Sequence, residues 1–209
     1  MSVAGGRIVP DWLNVSRETL ALLEQFAALV EKWNPAINLV SKRSIPEIWE
    51  RHVLDSAQLF SYIPGLAKHH VDLGSGGGFP GVIVAILARD AMPDLHSTLI
   101  EVDRRKATFL SEAARQLALP VTIAVSRIET LPPQLADVVT VRALSPMTEL
   151  CGLVHRHMGV NGIALIAKGA QAEDELAQAR PVWSFDVERH PSKSDDGATV
   201  LAIRNLRHV

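Results

Sequence analysis

Residues 71–81, VDLGSGGGFPG, place five glycines in eight positions, just after an apolar run that carries one carboxylate, Asp72. Glycine loses more backbone freedom on folding than any other residue, so something near this stretch must exclude side chains. A tight turn with close helix–strand packing accounts for one or two of the five. Ligand readings account for more. Gly76, Gly78 and Gly81 match G-x-G-x-x-G, with Glu101 about 20 residues further on, where the ribose-binding acid of a dinucleotide site belongs. Read instead from Asp72, the spacing is D-x-G-x-G-x-G through Gly74, Gly76 and Gly78. A carboxylate leading into the turn opposes a pyrophosphate but favours a ligand that carries positive charge.

Further groups stand at the ends of the apolar runs that follow. Glu101 closes LIEVD, where its two oxygens can accept from both hydroxyls of a ribose. Asp103, two residues later, opens DRRK and reads as the N-cap of the next helix. In SRIET, Ile128 and Glu129 sit where an adenine ring can be flanked and its amine read, although a solvated surface acid explains Glu129 equally well. Arg142 ends VVTVR and faces the rim of the same edge. Within RHVLDS, Arg51, His52 and Asp55 share one side of a helix at i,i+4 and i,i+3 spacing; a surface ion pair there contributes about 0.2–0.5 kcal/mol. Phe79 follows the glycines, and Lys168 follows GIALIA, where a cap is an alternative to a ligand contact. His155 and His157 are two apart on a helix, hence on different faces, and form no metal pair.

These groups need a scaffold, and the pattern supplies one. Strands are expected at 69–73, 97–102, 121–125, 137–141 and 162–167, with helices at 80–89, 105–118, 147–158 and 172–179 between them. Such alternation with continuous apolar strands indicates a parallel sheet covered on both faces. VWSFDV and ATVLAI have no room for a helix between them and form an antiparallel hairpin at the sheet edge. Two amphipathic helices come first. Ser16 caps one, whose stripe is Leu22, Phe26, Leu29, Val30 and Trp33 and which Asn34-Pro35 should stop. The other opens on a Ser44–Glu47 capping box and buries Ile48, Trp49, Val53, Leu59 and Phe60. The expected division is a helical extension over 1–66 and a ligand-binding domain over 67–209.

Bulk properties narrow the class. The 209 residues carry a net charge of −2, which excludes a broadly basic nucleic-acid coat but permits a local basic patch. One cysteine, Cys151, allows neither a disulfide nor a cysteine metal cluster, which fits a reducing compartment. The run VIVAILA is too short to span a bilayer, and the first residues lack a signal peptide's apolar core. A cytoplasmic protein with no membrane or metal partner, acting as a monomer, is expected.

The D-x-G-x-G-x-G spacing resembles the first motif of class I methyltransferases, which bind S-adenosylmethionine, a sulfonium cation, and the terminal hairpin resembles the antiparallel last strand of their sheet. That puts a methyltransferase ahead of a small NAD-dependent oxidoreductase and of a non-catalytic nucleotide-binding module. Across Trp33 to Gly169 the chain is similar to the bacterial ribosomal RNA small-subunit methyltransferase G family, through KWNPAINLVS, RHVLDS, DLGSGGGFPG, LIEVDRRKATFL, SRIE, VRALSP and ALIAKG. The resemblance implies a Rossmann-like, mostly parallel seven-stranded sheet with an antiparallel terminal hairpin. It implies methylation of guanine N7 in small-subunit ribosomal RNA, free or in the assembled subunit, with Gly74, Phe79, Ile128, Glu129 and Arg142 as cofactor residues. Asp72, Gly76 and Glu101 join that set from the residue reading. His52, Asp55, Arg142 and Lys168 become candidates for positioning the base. Lys42, Arg43, Arg51, Arg104, Arg105, Lys106 and Lys168 are candidates for a phosphate-contacting rim. Val40 stands where the family pattern has threonine. Gly197-Ala198 replace a basic pair, which argues against an RNA contact from the hairpin.

Overall fold

The computed structural model describes residues 2–4, 7–142 and 144–209, so Ala143 of VRALSP lies outside the described residues. A small hairpin, β1 (Ser2–Ala4) with β2 (Arg7–Val9), opens the chain where no strand was expected. Helix α1 (Arg17–Ile37) begins at its expected cap, with the Ser16 hydroxyl accepting from the Thr19 amide at 3.0 Å. It does not stop at Asn34-Pro35. Pro35 lies exposed in the last turn, where its missing N–H removes a single ladder bond. Buried Asn34 turns its side-chain oxygen to the Val40 amide at 2.9 Å, and Asn38 ends the helix in the left-handed region at φ 50°. The expected stop is a clasp.

The second helical stretch is irregular. Lys42–Glu47 is a 3-10 segment, Trp49–Leu54 a π segment, and only α2 (Asp55–Phe60) is α-helical. The Ser44–Glu47 capping box does not form, because the Ser44 hydroxyl donates to the Ser41 carbonyl at 2.9 Å and meets His52 Nε2 at 2.8 Å. The widened π turn sends the Asp55 amide to the Glu50 carbonyl five residues back. His52 and Asp55 turn inward, whereas Arg51 stays exposed on Glu47 at 3.3 Å. Hence Arg51 and Asp55 do not share a face.

The alternating half follows the expected order. It runs β3 (His69–Leu73), α3 (Gly81–Ala91), β4 (His96–Glu101), α4 (Arg104–Gln116), β5 (Val121–Val125), β6 (Ala136–Arg142), α5 (Met147–His157), β7 (Met158–Lys168), α6 (Ala172–Ala179), β8 (Trp183–Pro191) and β9 (Thr199–His208). β7 starts at Met158 rather than Gly162, shortening the helix before it. The seven strands lie in the order β5-β4-β3-β6-β7-β9-β8, the first five parallel and β9 antiparallel to both of its neighbours. Leu23, Phe26 and Val30 of α1 and Trp49 and Val53 of the π segment share one apolar cluster with Val82 and Ile83 of α3 and Phe109 of α4. Val71, Leu73, Val139 and Val141 bury the other face against α5 and α6. Strand order reverses between β3 and β6, which opens a crevice at their carboxyl ends.

A Cβ added at Gly81 would lie 2.4 Å from Leu99 Cδ2 and 2.5 Å from Asp72 Oδ2, whereas at Gly76 it would meet only the Gly74 carbonyl at 3.7 Å. Gly81→Ala should therefore lower unfolding free energy by about 1–3 kcal/mol through overpacking. Gly76→Ala should cost about 1–2 kcal/mol, from its left-handed backbone alone. Urea unfolding with Gly76→Ala as the more damaging change would refute this account of Gly81.

Candidate active site

The glycine turn divides into packed and bare positions. Side chains at Gly77 and Gly78 would strike the Leu39 carbonyl at 2.8 Å and Phe26 and Val82 at 2.7 Å. With Gly81, and with Gly74, where a Cβ would lie 2.8 Å from Leu144 Cδ1, packing accounts for four of the five glycines, more than the one or two expected. Gly74 and Gly76 have φ of 69° and 52°, and the space above Gly76 is open. The turn is fixed by two amides: Ser75 donates to the Ile100 carbonyl at 2.9 Å, and Gly76 donates to Glu101 Oε2 at 2.7 Å. Glu101 Oε1 accepts from the Asp103 amide at 2.7 Å, so both oxygens are held yet each keeps a lone pair for a ligand hydroxyl. Asp103 caps α4, accepting from the Arg105 amide at 2.8 Å. Beside Glu101, the apolar side chain of Val102 is 61% exposed. Sequence reasoning missed it, though a valine between two acids at a strand end was the available signal.

Asp72 does not line the crevice. It is fully buried under the turn, where Thr140 donates to Oδ1 at 2.6 Å and Oδ2 has no hydrogen-bond partner. Burial pushes its pKa up to about 6, against the pull of the Thr140 hydroxyl. The Thr140 hydroxyl directs its O–H at Asp72, so it accepts at 2.8 Å from His70 Nε2–H, and His70 Nδ1 meets Ser97 Oγ at 3.0 Å. This polar chain ties β4, β3 and β6 together beneath the site. Nothing in the sequence pattern separates His70 from a surface histidine.

Ile128 is buried, and its carbonyl accepts from His157 Nε2 at 2.8 Å, while Arg156 donates to the Leu131 carbonyl at 2.9 and 3.1 Å. α5 thus clamps the segment after β5. Glu129 is exposed on that segment and lies 3.8 Å from Arg127. Phe79 is buried, with its ring centroid 5.2 Å from those of both Phe26 and His52.

On the β6–β7 side a crevice of about 750 Å³ contains His52, Asp55, Arg142 and Lys168, together with Ser194, Asp195 and Ala198 of the β8–β9 loop. Arg142 is the hub. One Nη2–H contacts His52 Nδ1, and Nη1 lies 3.2 Å from Asp55 Oδ2. His52 is held neutral: burial first, then Arg142 and Arg51, lower its pKa to about 4. Its Nδ1 accepts from Arg142, leaving Nε2–H for Ser44. Lys168 is spent within the fold, donating to Glu175 Oε2 at 2.7 Å and to the Ser145 carbonyl at 3.0 Å, and so it leaves the phosphate rim. The hairpin loop, expected to keep away from RNA, forms a wall of this crevice.

The glycine turn at the reversal of strand order, the acid ending β4 and the antiparallel β9 define a class I S-adenosylmethionine-dependent methyltransferase fold. A methyltransferase from Geobacter sulfurreducens superposes with a TM-score of 0.59 at 14% identity, over 94% of this chain and 91% of that one. M. jannaschii TYW2, solved in complex with AdoMet, superposes with a TM-score of 0.56 at 13% identity over 81% and 78%. The model of the family described as rRNA small subunit methyltransferase G matches residues 19–199, and the chain belongs to that family. It is 48% identical over 201 residues to "Ribosomal RNA small subunit methyltransferase G" of Cereibacter sphaeroides, covering 96% of this chain and 97% of that one. Among the described residues no group of His, Cys, Asp and Glu could hold a metal ion, and no helix is long and apolar enough to cross a membrane.

Because folded His52 refuses a proton that the unfolded chain accepts near pH 6.5, stability falls as pH drops from 6.5 towards 4. His70, lowered to about 3 by burial, adds to the same limb. His52→Gln should reduce the stability lost between pH 7 and 5 by about 2 kcal/mol. An unchanged acid limb in denaturant titrations would contradict the neutral assignment.

Proposed function

We propose that this chain transfers a methyl group from S-adenosylmethionine to N7 of a guanine in small-subunit ribosomal RNA, acting as a monomer in the cytoplasm. The observation that carries the reading is the bare Gly76 turn bonded to a strand-ending carboxylate. Gly76 leaves room for a ligand against main chain, Glu101 keeps acceptors for ribose hydroxyls, and Val102 and Ile128 offer apolar faces to an adenine ring. Gly74 and Phe79 complete the cradle. Asp72 contributes from below, as a buried acid beneath the cationic ligand. Arg142 sits where the cofactor half meets the crevice. When bound, the cofactor supplies an electrophilic methyl: the N7 lone pair forms the N–C bond as the S–C bond breaks, sulfur keeps the electron pair, and the ring takes the positive charge.

Guanine N7 carries no proton, so no general base is needed and positioning supplies the catalysis. The side chains fit that economy. His52 and Asp55 are occupied in holding Arg142 rather than poised to remove a proton. Lys42, Arg43, Arg51, Arg104 and Arg105 are exposed and Lys106 half-buried, leaving cations for RNA phosphates on a chain of overall charge −2. The dinucleotide reading fails on the glycines themselves. Gly78, which it needs bare so that main chain can approach a pyrophosphate, is closed off by Phe26 and Val82.

Tritiated-methyl transfer to small subunits from a strain lacking this protein, followed by nucleoside analysis, should yield 7-methylguanosine. Label in another nucleoside, or none, would overturn the proposal; cofactor binding without transfer would favour a non-catalytic module. Glu101→Ala should weaken S-adenosylmethionine binding by calorimetry about tenfold to a hundredfold, as charge-assisted hydrogen bonds are lost. Unchanged affinity would remove Glu101 from the ribose site.

A further inference from the structure

Three carboxylates line the β6–β7 crevice: Asp55, Glu175 and Asp195. Two are committed. Asp55 Oδ1 accepts from Gln58 at 3.0 Å and Ser194 at 2.9 Å, and its Oδ2 faces Arg142. Glu175 Oε2 accepts from Lys168 at 2.7 Å and from the Met147 amide at 2.9 Å. Asp195 differs. Its Oδ1 accepts only from the Gly197 amide at 2.9 Å, which closes a local turn, and Oδ2 has no hydrogen-bond partner among the described residues.

The loop that carries Asp195 is held to the rest of the site by the Ser194–Asp55 bond and by one buried side-chain amide. Gln58, with none of its surface exposed, accepts from the Lys193 amide at 2.8 Å and donates to Ser192 Oγ at 3.0 Å. Ser192 in turn accepts from the Asp195 amide at 3.3 Å. The loop's position is thus coupled to Asp55, and through Asp55 to Arg142.

We propose that Asp195 reads the Watson–Crick edge of the target guanine, accepting from N1–H and the 2-amino group while N7, on the far side of the base, points towards the cofactor half. This deepens the reading of the chain as a guanine-N7 methyltransferase and rests on it. Guanine is the base that presents two adjacent donors on that edge; adenine presents an acceptor at N1, which a carboxylate repels. A pocket that takes an unstacked base reads it by such hydrogen bonds. The contact also bears on rate. As the ring gains the positive charge that sulfur loses, N1–H becomes more acidic, so its bond to a carboxylate strengthens in the transition state.

The test compares small subunits reconstituted with ribosomal RNA carrying guanine or inosine at the methylated position, because inosine lacks only the 2-amino group. The wild type should favour guanine about tenfold or more in kcat/KM, the loss expected for one charge-assisted hydrogen bond. Asp195→Asn keeps an oxygen for the Gly197 amide and should retain its fold and its affinity for S-adenosylmethionine by calorimetry. It should methylate guanine at least tenfold more slowly, and its preference for guanine over inosine should fall to near one. A merely structural Asp195 would leave that preference intact, so an Asp195→Asn ratio equal to the wild type's overturns the assignment. A wild type that makes no 7-methylguanosine would overturn the underlying function and this inference together.

Discussion

The bond from the Gly76 amide to the Glu101 carboxylate decides what the rest of the structure can do. It crosses from the turn after β3 to the end of β4, and it fixes a left-handed, side-chain-free segment against a fixed pair of acceptors. A positive φ is costly for other residues, and a carboxylate held by two amides cannot drift to follow a ligand. The contacts proposed for the ligand are therefore set in main chain and one acid before any ligand arrives. The packed glycines 77, 78 and 81 serve this arrangement indirectly, by letting α1 and α3 close on the turn and by roofing Asp72.

A second constraint acts on the other half of the carboxyl edge. Arg142 leaves the end of β6 as a partly buried cation, and two side chains from the irregular N-terminal stretch hold it, one neutral and one charged. In the π segment and the residue after it, His52 and Asp55 both face inward while Arg51 is left exposed. The N-terminal helices are thus part of the site as well as cover for α3. Gln58 extends the same connection to the β8–β9 loop, so elements from both ends of the chain converge on one crevice.

Much of this was legible in the sequence. Continuous apolar runs located all five parallel strands, because a strand covered on both faces has no polar register to confuse it. The caps at Ser16 and Asp103 were legible because a cap is a local hydrogen bond. What escaped reading depends on distant partners or on backbone detail. His52 meets a residue 90 positions away, and Gln58 one 134 away. The Asn34 clasp and the π turn arise from which side chains the core admits. Asp72 reads as an acid that serves the ligand, but it lies fully buried, with Gly81 packed closely against it. For Lys168 the sequence allowed either a ligand contact or a cap, and its partner, Glu175, lies on α6.

Cofactor and base are proposed to lie on opposite sides of the β3–β6 reversal, and a crystal structure with S-adenosylmethionine bound tests that division most directly. The ligand should lie over Gly74 and Gly76 with its ribose on Glu101, its adenine between Val102 and Ile128, and its methyl directed at a still open crevice beside Arg142. A ligand seated within that crevice, or one whose ribose makes no contact with Glu101, would contradict the account.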